Sequence, residues 1–289
     1  MENVSTKIPF EGLRNTRDLG GMVTMDGRKI RKGMLFRSGL LAHATEEDLK
    51  QLSGMGLRRI YDFRDTRERT ETPDPEIRGA VNLHLPVLPE TAPGVTRGED
   101  AEASAAKMFL GFIEEPRRAL DMMADNYRKF VEHPQCHRQY GTFLRDILEQ
   151  ASEAAEKGGH AAFLWHCFGG KDRAGFGAMI LEGILGIDRA SIIEDYMLTN
   201  RFTGDATDLM AEQYRDRIVE YFGEKADTLF ANFREAMSCM TESKMEYILA
   251  SYESMEKMYG DFDTFCTEGL GFNEEDREKL RSLFLEEIG

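Results

Sequence analysis

The residues best placed to do chemistry lie in one short run, Cys167-Phe-Gly-Gly-Lys-Asp-Arg173. An apolar stretch of strand length, Ala161-Ala-Phe-Leu-Trp165, precedes it, and an apolar helical stretch, Ala174 to Leu185, follows and is closed by Gly186. A cysteine at a strand end, followed by residues that curl into a helix N-terminus, faces a ring of backbone N–H groups. Gly169 and Gly170 permit the tight curl and the close approach of a ligand. The amides and the helix dipole favour negative charge at the ring's centre, so an anion is expected against Phe168, Gly169, Gly170 and Lys171. The same field stabilises a thiolate, so Cys167 is expected to ionise well below the ordinary thiol value of ~8.5. Arg173 can return its planar fork to two oxygens of a bound phosphate. His166 reads as an orienting residue, whose imidazole can bond the loop backbone and help fix the thiolate. The implied chemistry is in-line attack of sulfur on phosphorus, giving a cysteinyl-phosphate that water hydrolyses. Gly169-Gly-Lys171 is not a nucleotide-binding loop, because the glycine spacer and the magnesium-binding Ser or Thr are both missing.

The surrounding pattern supplies an alternating framework. Met34 to Arg37 and Arg59 to Phe63 are short apolar runs of strand length, and Thr45-Glu-Glu-Asp opens a helix that ends near Gly54 or Gly56. Val81 to Val87 alternates and then meets prolines, as a strand running into a loop does. Residues 90–106 are the most loop-like stretch and are expected to form a lid, with helical periodicity from about Met108 to Val131. Asp188 can cap a further helix through about Phe202, and the remainder is helical and acidic. A strand, a glycine-bearing loop and a helix place an anion site at the carboxyl edge of a mostly parallel sheet flanked by helices.

Composition narrows the function. The chain has 289 residues with 37 Lys and Arg against 52 Asp and Glu, a net charge of −15, which argues against nucleic acid as a partner. Attraction for an anion must therefore be local. Residues 1–80 hold 15 of the Lys and Arg against 13 Asp and Glu, so the negative charge lies further on. No apolar run is long enough to span a bilayer, and no signal peptide is visible. Four widely spaced cysteines (Cys136, Cys167, Cys239, Cys266) make no disulfide framework, so a reducing, cytoplasmic setting is expected. His133-Pro-Gln-Cys136-His137 invites a metal reading, but Pro134 disfavours a regular helical face and no fourth ligand is evident. A helix-to-loop surface is expected there, and neither metal nor cofactor. The methionines at 237, 240, 245, 255 and 258 read as packing.

His166-Cys167-x5-Arg173 resembles the signature of cysteine-dependent tyrosine phosphatases. The fuller string HCFGGKDRAG is similar to the bacterial tyrosine/serine phosphatases whose loop carries Lys-Asp before the arginine and which also act on phosphoinositides. Asn15-Thr-Arg-Asp-Leu-Gly-Gly21, Leu35-Phe-Arg-Ser38, Asp62-Phe-Arg64, Asp195-Tyr-Met-Leu-Thr-Asn200 and Tyr259-Gly-Asp-Phe-Asp263 resemble that family's recurring segments, in order, from about residue 8 onward. The resemblance implies one phosphatase domain over residues 1–289, with a helical insertion near 100–135 and a helical C-terminal part over about 188–289. It also implies that Lys171 adds positive charge to the phosphate bowl, the alternative being a solvated loop charge. The expected activity is hydrolysis of phosphotyrosine, with phosphoserine, phosphothreonine and phosphoinositide as further substrates. An inactive phosphate-binding module and a cysteine-dependent sulfurtransferase are the competing readings.

The general acid is open at this stage. There is no Trp-Pro-Asp segment of the classical kind, and the single tryptophan is Trp165. Asp172 comes first on motif grounds, although its carboxylate can instead cap the following helix. Glu90 is the other candidate, in a loop expected to end beside the cysteine. One departure stands out. The signature usually places Ser or Thr after the arginine, and this chain has Ala174.

Overall fold

The computed structural model describes residues 2–89, 111–204, 206–212 and 214–288. Strands β1 (Thr6–Lys7), β2 (Arg17–Asp18), β4 (Leu35–Ser38), β7 (Ala162–His166), β5 (Leu57–Asp62) and β6 (Val81–His84) form one sheet in that order. β4, β7, β5 and β6 run parallel, while β1 and β2 add an antiparallel edge. β3 (Lys29–Ile30) pairs with β8 (Leu285–Glu286) beside the sheet. The register aligns the carboxyl ends: Ser38 and Asp62 lie opposite His166, and His84 lies opposite Asp62. The end of β7, where the sequence places the chemistry, is therefore the middle of the sheet's carboxyl edge.

β7 is buried along its whole length, which suits an all-apolar run covered on both faces. Alternate residues divide between two cores. Leu35, Tyr61, Phe63, Phe163 and Trp165 face one side and pack with helices α4 (Pro134–Glu156) and α5 (Arg173–Leu185). Phe36, Ile60, Ala162 and Leu164 face the other with Leu13, Leu41, Leu52 and Ile77. α1 (Glu46–Gly54) covers this second face, and Thr45 caps it in a capping box with Asp48. α2 (Thr66–Glu71) begins with a second capping box, Asp65 with Glu68.

α5 has apolar residues on every side and is buried on every side, as an internal helix should be. Gly177 brings it against the sheet, because a Cβ there would lie 3.1 Å from Phe63 and 3.5 Å from Trp165. Gly186 ends it at φ 88°, in the left-handed region that favours glycine. The helix expected from Met108 is divided: residues 111–114 are helical, and α3 (Arg117–Glu132) starts after Pro116. The helix capped by Asp188 likewise breaks at Leu198, into α6 (Arg189–Met197) and α7 (Thr199–Thr203). The lid expected over 90–106 and Glu90 both lie outside the described residues.

The His133–His137 segment is corrected in part. Pro134 does not interrupt a helix but opens α4 at its first position, and the His133 ring accepts from the Gln135 N–H. Cys136 is buried and its thiol faces the Val87 carbonyl at 3.3 Å, while the His137 ring bonds the Val131 carbonyl. Each has its own partner and the three share no common centre. Beyond residue 205 come α8 (Ala206–Glu212), α9 (Arg215–Phe222), α10 (Ala226–Thr241), α11 (Met245–Tyr259) and α12 (Glu274–Phe284). Met237 and Met255 are core residues, whereas Met245 and Met258 are exposed. Among the described residues no helix is long and apolar enough to cross a membrane.

Candidate active site

The loop after β7 is held by its carbonyl groups, all from outside. The Leu40 N–H donates to Phe168 O at 2.9 Å, and the Asn15 amide donates to Gly169 O at 3.0 Å. Arg37 Nη2 donates to Gly170 O at 2.9 Å and reaches Lys171 O at 3.4 Å. With its carbonyls turned outward, the curl presents its N–H groups inward. Among the described residues none of the amides of residues 168–172 donates to a protein acceptor. That is the donor set of an anion site. Gly170 makes the curl possible: it sits at φ 66°, and a Cβ there would lie 2.6 Å from the backbone of Ser38 and Gly39.

The groups that grip the loop are themselves clamped. Arg37 and Arg17 are fully buried, and both face Asp195, Arg37 at 3.2 Å and Arg17 at 3.6 Å. The other Asp195 oxygen accepts from the Ser5 N–H at 2.9 Å and from the Ser5 hydroxyl. Burial pushes the Asp195 carboxyl up, but Arg17 and Arg37 outweigh it and hold the group below the usual range. The Arg17 guanidinium is lowered to about 9 by burial and by Arg37 beside it. Glu182, also fully buried here, is pushed well up by burial and then by Asp195. Arg17 Nη1 also bonds the side chain of Asn15, which takes φ 59°, a conformation asparagine tolerates better than most residues. Three of the segments that resemble a phosphatase family, around Asn15, Arg37 and Asp195, are thus the outer scaffold of this loop.

Cys167 directly follows β7 and is buried, and Arg173 starts α5. Both terminal nitrogens of Arg173 are engaged by the Glu68 carboxylate, Nη2 at 2.9 Å. Burial lowers the Arg173 guanidinium, but the Glu68 bond and then the Cys167 sulfur more than reverse this. Burial raises Glu68 in turn, and Arg173 brings it net downward. Glu68 therefore fixes one edge of the fork and leaves its remaining N–H groups for an anion. The sequence alone did not point to Glu68. Its Asp65-x-x-Glu68 capping box marks the helix start but not which way the carboxylate faces.

His166 lies behind Cys167 in a closed network of polar side chains. Its Nδ1 is 3.4 Å from Cys167 O, and its Nε2 is 3.1 Å from Asp74 without forming an aligned hydrogen bond. Arg64 bonds both oxygens of Asp62 at 2.8 Å and lies 2.9 Å from Asp74. Asp62, Asp74 and His166 are close enough to hold a metal ion, and among the described residues they are the only such group. The Arg64 guanidinium already supplies the cation between the two carboxylates, and a metal ion there would face it directly.

Lys171 is not a solvated loop charge, and the Asp172 side chain does not cap the helix. Lys171 is buried, and its ammonium donates to Met240 O at 2.7 Å and Glu242 O at 3.0 Å, tying the loop to the end of α10. Asp172 occupies the cap position of α5 but its side chain makes no cap bond. Its Oδ1 instead accepts from Tyr127 at 2.8 Å and lies 3.3 Å from Lys171 Nζ. Ala174 is buried, with its carbonyl bonded by Trp165 Nε1 at 2.9 Å, and the Tyr140 hydroxyl donates to Arg173 O at 2.9 Å. These two bonds fix the first turn of α5.

Comparison with known proteins agrees with this geometry. Residues 8–286 match the family described as the tyrosine phosphatase family. A protein of Cupriavidus necator named as a tyrosine-protein phosphatase is 27% identical over 282 residues, covering 96% of this chain and 88% of its own. The triple specificity protein phosphatase PtpB of Mycobacterium tuberculosis is 25% identical over 292 residues, covering 95% of this chain and 97% of its own. A solved structure of TpbA from P. aeruginosa in complex with phosphotyrosine is 16% identical, with a TM-score of 0.35, over 80% of this chain and 96% of that one. The chain is a phosphatase and belongs to the tyrosine phosphatase family.

Proposed function

We propose that the protein hydrolyses phosphotyrosine, and also phosphoserine, phosphothreonine and phosphoinositide monoesters, through a cysteinyl-phosphate. The observation that carries this reading is one loop holding Cys167 and Arg173, with its carbonyls bound from outside and its amides facing inward. The amides and the free edge of Arg173 hold the non-bridging phosphoryl oxygens. The Cys167 thiolate attacks phosphorus, the bond to the leaving oxygen breaks, and Asp172 gives that oxygen its proton. Water then attacks the phosphocysteine, Asp172 takes a proton back, and the thiolate departs. Glu90 is the alternative acid.

The breadth of substrate is supported by the resemblance to phosphatases with a Lys-Asp loop and by the triple-specificity name of one relative. His166, held between Cys167 O and Asp74, orients the cysteine end of the loop. Lys171 supports the bowl from behind through its bonds to Met240 and Glu242. The test is turnover of an aryl phosphate, phosphopeptides and phosphoinositides in EDTA by wild type and Cys167→Ser. The account expects wild-type turnover of all three classes, and a variant that binds inorganic phosphate but turns over none. Persulfide formation from thiosulfate without phosphate release would favour a sulfurtransferase, and binding without turnover in wild type an inactive module.

A further inference from the structure

Two buried phenols beside Asp172 have no part in the chemistry so far. Tyr127, on α3, donates its hydroxyl to Asp172 Oδ1 at 2.8 Å, and its oxygen lies 2.7 Å from the Tyr196 hydroxyl on α6. Both side chains are 1% exposed. Burial, with the Asp172 charge as the next cause, pushes both hydroxyls above the ordinary tyrosine value, so each remains protonated. A phenol has one proton to give. Tyr127 gives its own to the carboxylate, so Tyr196 must donate to Tyr127. The chain of donors runs one way, from Tyr196 through Tyr127 to Asp172.

The contact solves a local problem. Asp172 stands at the start of α5, where an aspartate ordinarily turns back to accept the free N–H groups of the first turn. A carboxylate in that pose would compete with the bound anion for the same donors. Instead Oδ1 is taken by Tyr127 and Lys171, and among the described residues Oδ2 has no protein donor.

We propose that Tyr127 is a positioning residue for the general acid. Its hydroxyl, backed by Tyr196, holds Asp172 Oδ1 off the helix cap, so that the proton for the leaving oxygen is carried on Oδ2. This rests on Asp172 being the acid.

The experiment compares Tyr127→Phe, Tyr196→Phe and Asp172→Asn on an alkyl phosphate and on an aryl phosphate with an acidic leaving group. Inorganic phosphate inhibition reports the integrity of the bowl. Tyr127→Phe is expected to lose about tenfold in kcat on the alkyl phosphate, the worth of one hydrogen bond. It should lose little on the aryl phosphate, and KM and phosphate inhibition should stay unchanged. Tyr196→Phe should show the same selectivity, weaker, and Asp172→Asn should show it stronger. Equal losses on both substrates, or none, in Tyr127→Phe while Asp172→Asn stays selective would overturn the positioning role and leave the acid standing. An unselective Asp172→Asn would overturn the acid and this inference together. Should Tyr127→Phe fail to fold, Tyr196→Phe decides by the same criterion.

Discussion

At the scale of single residues, the proposed reaction depends on how Arg173 and Cys167 are prepared for a phosphoryl group. Glu68 holds the outer edge of the Arg173 fork in a bidentate pair. Glu68→Gln keeps the size but replaces a charge-assisted pair with a neutral one. A hydrogen bond to a charged group contributes about 1.5–3 kcal/mol, so kcat/KM should fall about tenfold or more, with the loss appearing on alkyl and aryl phosphates alike. Loss on alkyl phosphates alone would mean that Glu68 acts on proton transfer and not through Arg173. Ala174 belongs to the same scale. Family members usually carry a hydroxyl there that can donate to sulfur as the thiolate leaves phosphorus, and here the position is a buried methyl group. Breakdown of the phosphocysteine should therefore limit turnover on good aryl phosphates and produce a pre-steady-state burst. Ala174→Ser, which adds a single oxygen, should raise the steady-state rate and shrink the burst; stopped-flow release of the phenol measures both. Cys167 and Arg173 stood out in the sequence because the proposed nucleophile and clamp share seven consecutive residues. Glu68 and Tyr127 were not, because they reach the loop from 105 and 45 residues away, and only the register of the sheet and helices brings them there.

Among elements, the loop after β7 is a curl whose outward carbonyls are gripped by Arg37 of β4, by the Leu40 N–H just after it and by Asn15 before β2, while α6 anchors the arginines. Asp195 on α6 is the common anchor, since it faces Arg37 and Arg17 and accepts from Ser5. Removing one charge from a buried group of this kind is strongly destabilising, because the remaining charges stay buried without compensation. Asp195→Asn should cost about 3–5 kcal/mol in denaturant unfolding. It should also raise the KM for every phosphate ester, since Arg37 then holds Gly170 O less firmly. Wild-type stability and KM in this variant would show that the loop keeps its shape without the anchor. The strand, loop and helix around Cys167 were legible from apolar runs and glycine placement. Pro116 imposes its own break, whereas the break at Leu198 lay inside a continuous helical pattern, where only tertiary packing decides the boundary. Nor did the sequence show that Lys171 would tie the loop to α10, since its partners are backbone carbonyls some seventy residues on.

Over the whole molecule, the buried charges make stability depend on pH in a definite direction. Burial and then Asp195 push the Glu182 carboxyl well above its ordinary value in the fold, whereas in the unfolded chain it ionises in the ordinary carboxylate range. Between those two points the unfolded chain binds fewer protons than the folded one, so this group's contribution to stability falls as pH rises. Glu182→Gln removes that dependence and keeps a donor toward Asp195. Its melting temperature relative to wild type should therefore climb between about pH 5 and pH 8, and a constant difference would show that Glu182 is ionised in the fold. For the proposed covalent intermediate the molecule carries its own controls. Burial pushes the Cys136 and Cys266 thiols up to about 12 and raises Cys239, so these three are poor nucleophiles. The most direct measurement is an acid quench of the full chain within its first turnover of an aryl phosphate, followed by peptide mass mapping. The account predicts one phosphoryl group per chain, on Cys167, absent in Cys167→Ser and longer-lived than in Ala174→Ser. Turnover with no phosphocysteine at any quench time, or catalysis surviving in Cys167→Ser, would contradict it.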